Sequence, residues 1–428
     1  MAVGDDAQHE LATAPFSAAI ADAERLIASA DFAETDADLA EGYDYLAGSI
    51  SAILQLVRAH NKSHPYFVTS TGPYSKMGLD NPDTIYYHAV VEPNGTYVVR
   101  GKRGTTTDLS FQVLCGEYSA DSVPGGDEAF DDRRLDIADD GSFELTFGPP
   151  VERSEGDVPV ERSEGHVSVE RSEGDVSVER SDPPKNYFVL PEGATTLAVR
   201  EVYSDWDTEE RGRVDIERVD TVGTAPDEVS LERMKRRYST AAKMLTSRIN
   251  TWFNFPKWFY LDEPVNTFTA PRQTPGGLAT QFSSVGHFDL PEDKAMIVTV
   301  PRSQAPYQGF QLGSLWYISL DYVNHQTSLN SDQAQVDPDG KIRMVISARD
   351  PGVANWIETT GRRRGIIQFR WQRTDSPIGP ELGPTAEVVD IDDVPSKLPY
   401  YDDNKIDADG WQARIAARQR SFARRLLG

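Results

Sequence analysis

Asn81-Pro82-Asp83-Thr84-Ile85-Tyr86 packs several hydrogen-bonding side chains into six residues at what reads as a strand start. Alternation along a strand puts Thr84 and Tyr86 on one face and Asp83 and Ile85 on the other. Such a group could floor a pocket, with Asp83 as general base and Asn81, Thr84 and Tyr86 as ligand contacts. The same residues are strong turn formers, in which Asp83 would accept from nearby backbone amides. A second cluster, Asp321-Tyr322-Val323-Asn324-His325-Gln326, continues to Ser328 and Asn330. There His325 could act as a base oriented by a carboxylate, with Asp321 and Asn324 beside it, or could be a plain hydrogen-bonded rim histidine. Asn355-Trp356 sits ahead of the last long apolar run, where Trp356 could stack on a flat ligand. Trp316 and Trp371 read as core. Arg362-Arg363-Arg364 reads as a solvated turn.

His325 and His287 could share a metal, but no His-x-His pair occurs and no metal site is expected. Gly-x-Ser-x-Gly, Gly-x-Gly-x-x-Gly, the phosphate-cradling Gly-Lys-Ser/Thr loop and His-Glu-x-x-His are all missing, so no cofactor is expected. Cys115 is the one cysteine, which excludes an intramolecular disulfide and reads as a buried, inert thiol.

Elements must hold these residues in place. Leu39, Tyr43, Leu46, Ile50, Ile53 and Val57 form a helical stripe inside a helix expected over 16–60. Leu231, Met234, Tyr238, Ala242, Leu245, Ile249 and Trp252 form another, ending near Phe255-Pro256. Strands are expected over 85–92, 97–100, 108–114, 142–147, 187–190 and 195–202, the first two joined as a hairpin through Asn94-Gly95. A second set is expected over 281–288, 295–300, 309–320, 342–347 and 365–372. Short strands at this spacing argue for antiparallel sandwiches. A nonapeptide beginning at Val151 recurs at Val160, Val169 and, truncated, Val178. Valine is almost its only apolar residue, so it reads as a solvated loop expansion over 151–182.

The chain of 428 residues carries 68 acidic and 43 basic side chains, a net charge of −25. Lysine is scarce against arginine, and the acidic excess suits a surface kept hydrated in concentrated salt. Clustered cations for nucleic acid are lacking, so no nucleic-acid partner is expected. No apolar run reaches the roughly 20 residues of a membrane span. The first residues show neither the basic start nor the apolar stretch of a secretory signal, so a cytoplasmic location is expected. The arginine-rich end around Ile415, Phe422 and Leu426 reads as a basic helix docked on the acidic body or on another subunit of a homo-oligomer.

Two groups of motifs carry a resemblance. Asn81–Tyr86, the Asn94-Gly95 turn and Asp108-Leu109-Ser110-Phe111-Gln112 stand in one order. Gly313–Asp321, Gln335–Gly340, Lys341–Ser347, Ala354–Ile357 and Gly365–Trp371 follow. In this order the chain resembles a two-domain family whose halves are known as domains of unknown function 1254 and 1214, over residues 36 to 390. The resemblance implies a mainly β fold with helical segments: an N-terminal immunoglobulin-like β-sandwich, a helical connector and a C-terminal jelly-roll β-sandwich. The expected divisions are 1–62 helical, 63–224 first sandwich, 225–261 connector, 262–395 second sandwich and 396–428 tail. Two functions stay open: a module binding a small neutral or apolar metabolite between the β-domains, or an enzyme using Asp83 or His325 as acid/base on it.

Overall fold

The computed structural model describes residues 11–59, 61–116, 124–150, 185–273 and 281–427. The nonapeptide tract lies outside the described residues. The fold is mainly β with a helical stretch in the middle, as expected, and no described helix is long and apolar enough to cross a membrane.

The helix expected over 16–60 is two helices, α1 (Ala14–Ala28) and α2 (Asp36–Ala59). The break has a local cause. Thr35 Oγ1 accepts from Asp38 N at 3.2 Å while Asp38 Oδ2 accepts from Thr35 N at 3.0 Å, a reciprocal cap that starts a new helix. Helix α3 (Leu231–Phe259) starts where Ser230 Oγ accepts from Arg233 N, and it runs one turn beyond its expected stop, through Pro256. Ile27, Leu46, Ile53, Leu245 and Ile249 of these helices share one core with Trp316 and Ile318. Gly42 lets α2 approach Trp316, whose ring would lie 2.6 Å from a Cβ at that position.

The first strand segment holds β1 (Thr84–Val90), β2 (Tyr97–Lys102), β3 (Asp108–Cys115), β4 (Gly125–Asp131), β5 (Ser142–Gly148), β6 (Tyr187–Val189), β7 (Ala194–Val202) and β8 (Arg213–Arg218). They form two sheets, β1-β7-β3-β4 and β6-β5-β2-β8. Leu109, Phe111, Leu197 and Val199 of one meet Val99, Leu145 and Phe147 of the other in a shared core. The hairpin expected at Asn94-Gly95 does not form. Strands β1 and β2 belong to different sheets, and the turn carries the chain from one to the other. Neither Asn94 nor Gly95 takes the positive φ that the tight hairpin turn demands. Gly95 is needed instead for space, since a Cβ there would lie 2.6 Å from the Tyr97 ring.

The second segment holds β9 (Arg272–Gln273), β10 (Phe282–Asp289), β11 (Lys294–Pro301), β12 (Tyr307–Gly313), β13 (Ser328–Asn330), β14 (Lys341–Ser347), β15 (Trp356–Glu358), β16 (Arg364–Gln372) and β17 (Thr385–Asp390). These make the sheets β13-β12-β16-β10-β9 and β15-β14-β11-β17 around a second core that includes Met296, Val298, Phe310, Ile346 and Phe369. Two short edge pairings, β5 with β6 and β14 with β15, are parallel rather than antiparallel. The strand expected over 309–320 ends at Gly313, because Ser314–Tyr317 turns back with Tyr317 at φ 58°. Trp316 therefore leaves the sheet and packs among the helices. A short helix α4 (Val394–Lys397) and the terminal α5 (Ala408–Leu427) complete the chain.

Candidate functional site

Strand alternation in each half leaves one sheet with a polar face, and the two polar faces meet. In the first half Tyr86, Arg200, Ser110 and Asp131 fall in one row across β1, β7, β3 and β4. His88 and Asp108 lie two residues along on the same face, opposite Leu109, Phe111 and Val199. In the second half Tyr307, Gln311, Gln368, Arg370 and Gln372 of β12 and β16 face away from Phe310, Leu312, Ile367 and Phe369. A polar sheet face ordinarily meets water. Here Asp108, Ser110, Gln311, Gln368 and Gln372 are all buried.

Direct bonds cross this seam. Tyr307 Oη donates to Asp83 Oδ2 at 2.7 Å, Gln311 Nε2 to Asp80 O at 2.9 Å, and Arg373 Nη1 to Thr107 O at 3.1 Å. Arg370 donates to Leu79 O, Gln311 Oε1 and Gln368 Oε1. Its charge also acts on the Tyr86 phenol of the opposite half. The C-terminal end of α3 forms a side wall. Trp252 stacks on Tyr317 at 5.7 Å, and Tyr260 bonds both Tyr317 Oη and Gln368 Oε1.

Several polar atoms along the seam are sealed from solvent and have no hydrogen-bond partner among the described residues: Asn81 Nδ2, Asp108 Oδ1, Ser110 Oγ, Arg200 Nη1, Arg248 Nε, Thr251 Oγ1 and Gln372 Oε1. An unmet buried polar atom costs roughly 1–3 kcal/mol, and natural folds keep few of them. Tyr86, His88 and Arg200 are crowded deep in the molecule, yet each keeps part of its surface uncovered. Polar atoms left in this state can be met by water or by a bound molecule.

The electrostatics follow from burial. Burial, with the charges of Arg200 and Arg248 added, holds the His88 imidazole down to about 4. Its Nδ1 lies 3.2 Å from Ser70 Oγ. Burial pushes the Asp108 carboxyl up to about 7; the neighbouring Asp131 adds to this and Arg373, 3.7 Å away, opposes it. A carboxyl held near neutrality with an unpartnered oxygen can exchange a proton at ordinary pH.

The residues expected from sequence divide between two places. Asn81, Asp83, Thr84 and Tyr86 lie at the seam. Asp83 accepts from Trp206 Nε1 and Tyr307 Oη, each at 2.7 Å, and burial raises its pKa against the opposing charges of Arg425 and Arg418. Asn81 Oδ1 accepts from Asp83 N and Tyr307 Oη, and Tyr86 Oη accepts from Asn81 N at 2.9 Å. Thr84 pairs with Val202 at the start of β1. The second group surrounds the end of β13. His325 Nδ1 lies 2.9 Å from Glu358 Oε2, with the imidazole 44 % exposed. Asp321 holds its own loop through Val323 N, Asn324 N and Asn324 Nδ2, and Asn324 accepts from Gln419 on α5. Asn355 is consumed by Gln335 and the Arg343 carbonyl. Trp356, expected on a loop, lies buried in β15 with its indole 4.9 Å from Trp411. Cys115 ends β3 half-buried.

Helix α5 touches both groups. Arg414 donates to Gln326 Oε1 and Gln333 O, Arg418 to Tyr322 O and Ser328 Oγ, and Arg425 to Pro82 O. The Arg418 and Arg425 guanidinium carbons each lie 4.4 Å from the Trp206 ring centroid. The docking of this helix on the body of its own chain agrees with the sequence reading.

Sequence reasoning passed over Asp108, Ser110, Arg200, Arg248 and Arg370. The first two and Arg370 lie in strands it identified, within the alternations Asp-x-Ser-x-Gln and Gln-x-Arg-x-Gln.

No family model matches the chain, and no curated protein matches it. Among solved structures it is similar to an uncharacterised protein from Burkholderia cenocepacia, with a TM-score of 0.74, 24% identity, 89% of this chain and 97% of that chain covered. The VPA0106 protein from Vibrio parahaemolyticus aligns at a TM-score of 0.40 and 10% identity, covering 81% and 98%. The first of these likenesses shows a shared fold.

Proposed function

We propose that the protein binds a small polar molecule in the seam between the polar faces of its two sheets. The observation carrying this reading is the concentration of unpartnered, buried polar atoms around Tyr86, His88, Arg200 and Ser110. Their donors and acceptors favour a polar ligand over the neutral or apolar one anticipated from sequence. Membership of the family with domains of unknown function 1254 and 1214, and adaptation to high salt, belong to the same proposal. The motif order supports the first, and the net charge of −25 supports the second.

A thermal-shift screen of small polar metabolites tests the reading, run on the wild type and on Ser110→Leu, whose larger side chain would occupy the space beside Arg200. A subset should stabilise the wild type and leave Ser110→Leu unchanged. If nothing in the library stabilises the wild type, or both proteins respond alike, the seam is not a binding site.

Turnover of the bound molecule is a second reading, favoured by Asp108, whose carboxyl is poised near neutrality on the same face. It suits an acid/base role better than Asp83, whose oxygens already accept from Trp206 and Tyr307. His325 has the base-and-orienter geometry with Glu358, but at the exposed rim beneath α5.

A further inference from the structure

Arg200 lies at the seam with no ion-pair partner among the described residues. Its guanidinium makes no hydrogen bond to a described residue, Nη1 is sealed from solvent, and the guanidinium carbon lies 5.9 Å from the centre of the Tyr86 ring. Among the described residues no carboxylate oxygen lies within ion-pair distance of it. The nearest acidic influence is Asp108, whose carboxyl burial keeps largely protonated below neutrality. Arg248 and Arg370 border the same seam with neutral partners: Arg248 donates to the carbonyls of Ser75 and Lys76, and Arg370 to a carbonyl and two glutamine side chains. Isolating a cation from water is costly unless a counter-charge meets it, and a planar guanidinium fork matches an oxyanion with two parallel N–H donors. The two groups next to Arg200 in its row can donate as well. Ser110 Oγ, its register partner, has no described partner, and the Tyr86 hydroxyl, already an acceptor, keeps its proton to give.

We infer that the seam's ligand is a small oxyanion, a carboxylate or a phosphate, received on Arg200 with Ser110 and Tyr86 as further donors and with Arg248 and Arg370 supplying field. This rests on the proposed binding seam and narrows its ligand class. Asp131 ends the row two strands from Arg200, its charge met by Arg133, and Asp108 lies two residues along β3, where its protonated form would tolerate an anion that its charged form would repel.

The test is titration of the full chain with acetate, malonate and inorganic phosphate, and with malonamide as the uncharged counterpart of malonate, at ionic strength held constant with sodium chloride. Binding is read by melting temperature and calorimetry in the wild type, Arg200→Gln, Arg200→Lys and Arg213→Gln, the last an exposed position on β8. At least one anion should bind saturably. Arg200→Gln should weaken it tenfold or more, Arg200→Lys should lose less, and Arg213→Gln should match the wild type. The His88 titration, followed by NMR, should move upward in the complex, because an anion offsets the Arg200 and Arg248 charges that hold it down. Malonamide binding as tightly as malonate would overturn the anion assignment while leaving the binding seam intact. If neither the anions nor malonamide bind, both fall. An anion bound equally by wild type and Arg200→Gln, with His88 unmoved, places it elsewhere and also overturns the inference.

Discussion

Asp108 and Asp83 are both buried carboxyls on the seam, yet their surroundings give them opposite consequences for stability. Asp108 Oδ1 has no described hydrogen-bond partner, and the folded-state pKa near 7 lies above the unfolded value near 3.8. Between those values the folded protein holds a proton that the unfolded chain has lost, so stability falls as pH rises toward 7 and is flat above it. Asp108→Asn removes the buried charge without removing a described hydrogen bond. It should therefore stabilise the protein by roughly 1–3 kcal/mol at pH 8. The gain should shrink as the buffer is taken to pH 5, as read by urea unfolding at the two pH values; an equal effect at both would contradict the raised pKa. Asp83 accepts two 2.7 Å bonds and faces two arginines, so Asp83→Ala strands donors and cations together. It should cost about 3–5 kcal/mol. His325→Ala, at the exposed rim, should stay within about 0.5 kcal/mol in the same assay.

At the scale of elements, α5 adds a second tie between the two strand-rich halves, beside the bonds that cross the seam. Arg414 and Arg418 grip the second half, while Arg425 reaches Pro82 and Arg424 and Ser421 reach Asp207 of the first. Phe422 closes a small core with Tyr203, Trp206 and Tyr322. Ending the chain at Asp407 should expose Trp206, giving a red-shifted tryptophan emission and faster proteolysis. Unchanged emission would mean that the helix only decorates the joint. Its basic stripe was legible in the sequence, as were most strands, because apolar period and turn residues are local signals. The hairpin at Asn94-Gly95 was misread because those residues permit a turn without fixing its twist, and sheet membership is decided by distant strands. The buried polar face was hidden for the same reason. Asp108-x-Ser110 and Gln368-x-Arg370-x-Gln372 alternate as a water-facing strand would, and only the apposition of two such faces buries them. Asn81 and Asp83 were found because their chemistry is packed into consecutive residues; Arg200 and Arg248, alone in their segments, gave no such mark.

For the whole molecule, the total charge of −25 sits mostly on exposed side chains, while buried charges of both signs meet at the seam. Asp80, Asp83 and Asp108 lie there with Arg248, Arg370, Arg418 and Arg425. Carboxylate repulsion across the surface opposes compaction, and mobile ions screen it over about 10 Å at 0.1 M salt and about 3 Å at 1 M. Cations drawn to the surface relieve that repulsion, whereas the buried arginines stay beyond their reach. Raising potassium chloride from about 0.1 M to about 2 M should therefore lift the melting temperature progressively, and guanidinium chloride, whose ions screen the same repulsion, should unfold the protein less readily than its denaturing action alone would suggest. A glycerol series of equal osmolality controls for exclusion from the surface. Should potassium chloride leave the melting temperature flat, or should glycerol reproduce the rise, the acidic surface is not a salt adaptation. The −25 would then serve solubility alone. A further arm separates the surface from the seam: if chloride acted by occupying Arg200, the rise would saturate at low salt and vanish in Arg200→Gln, whereas screening of the exterior should survive that substitution unchanged.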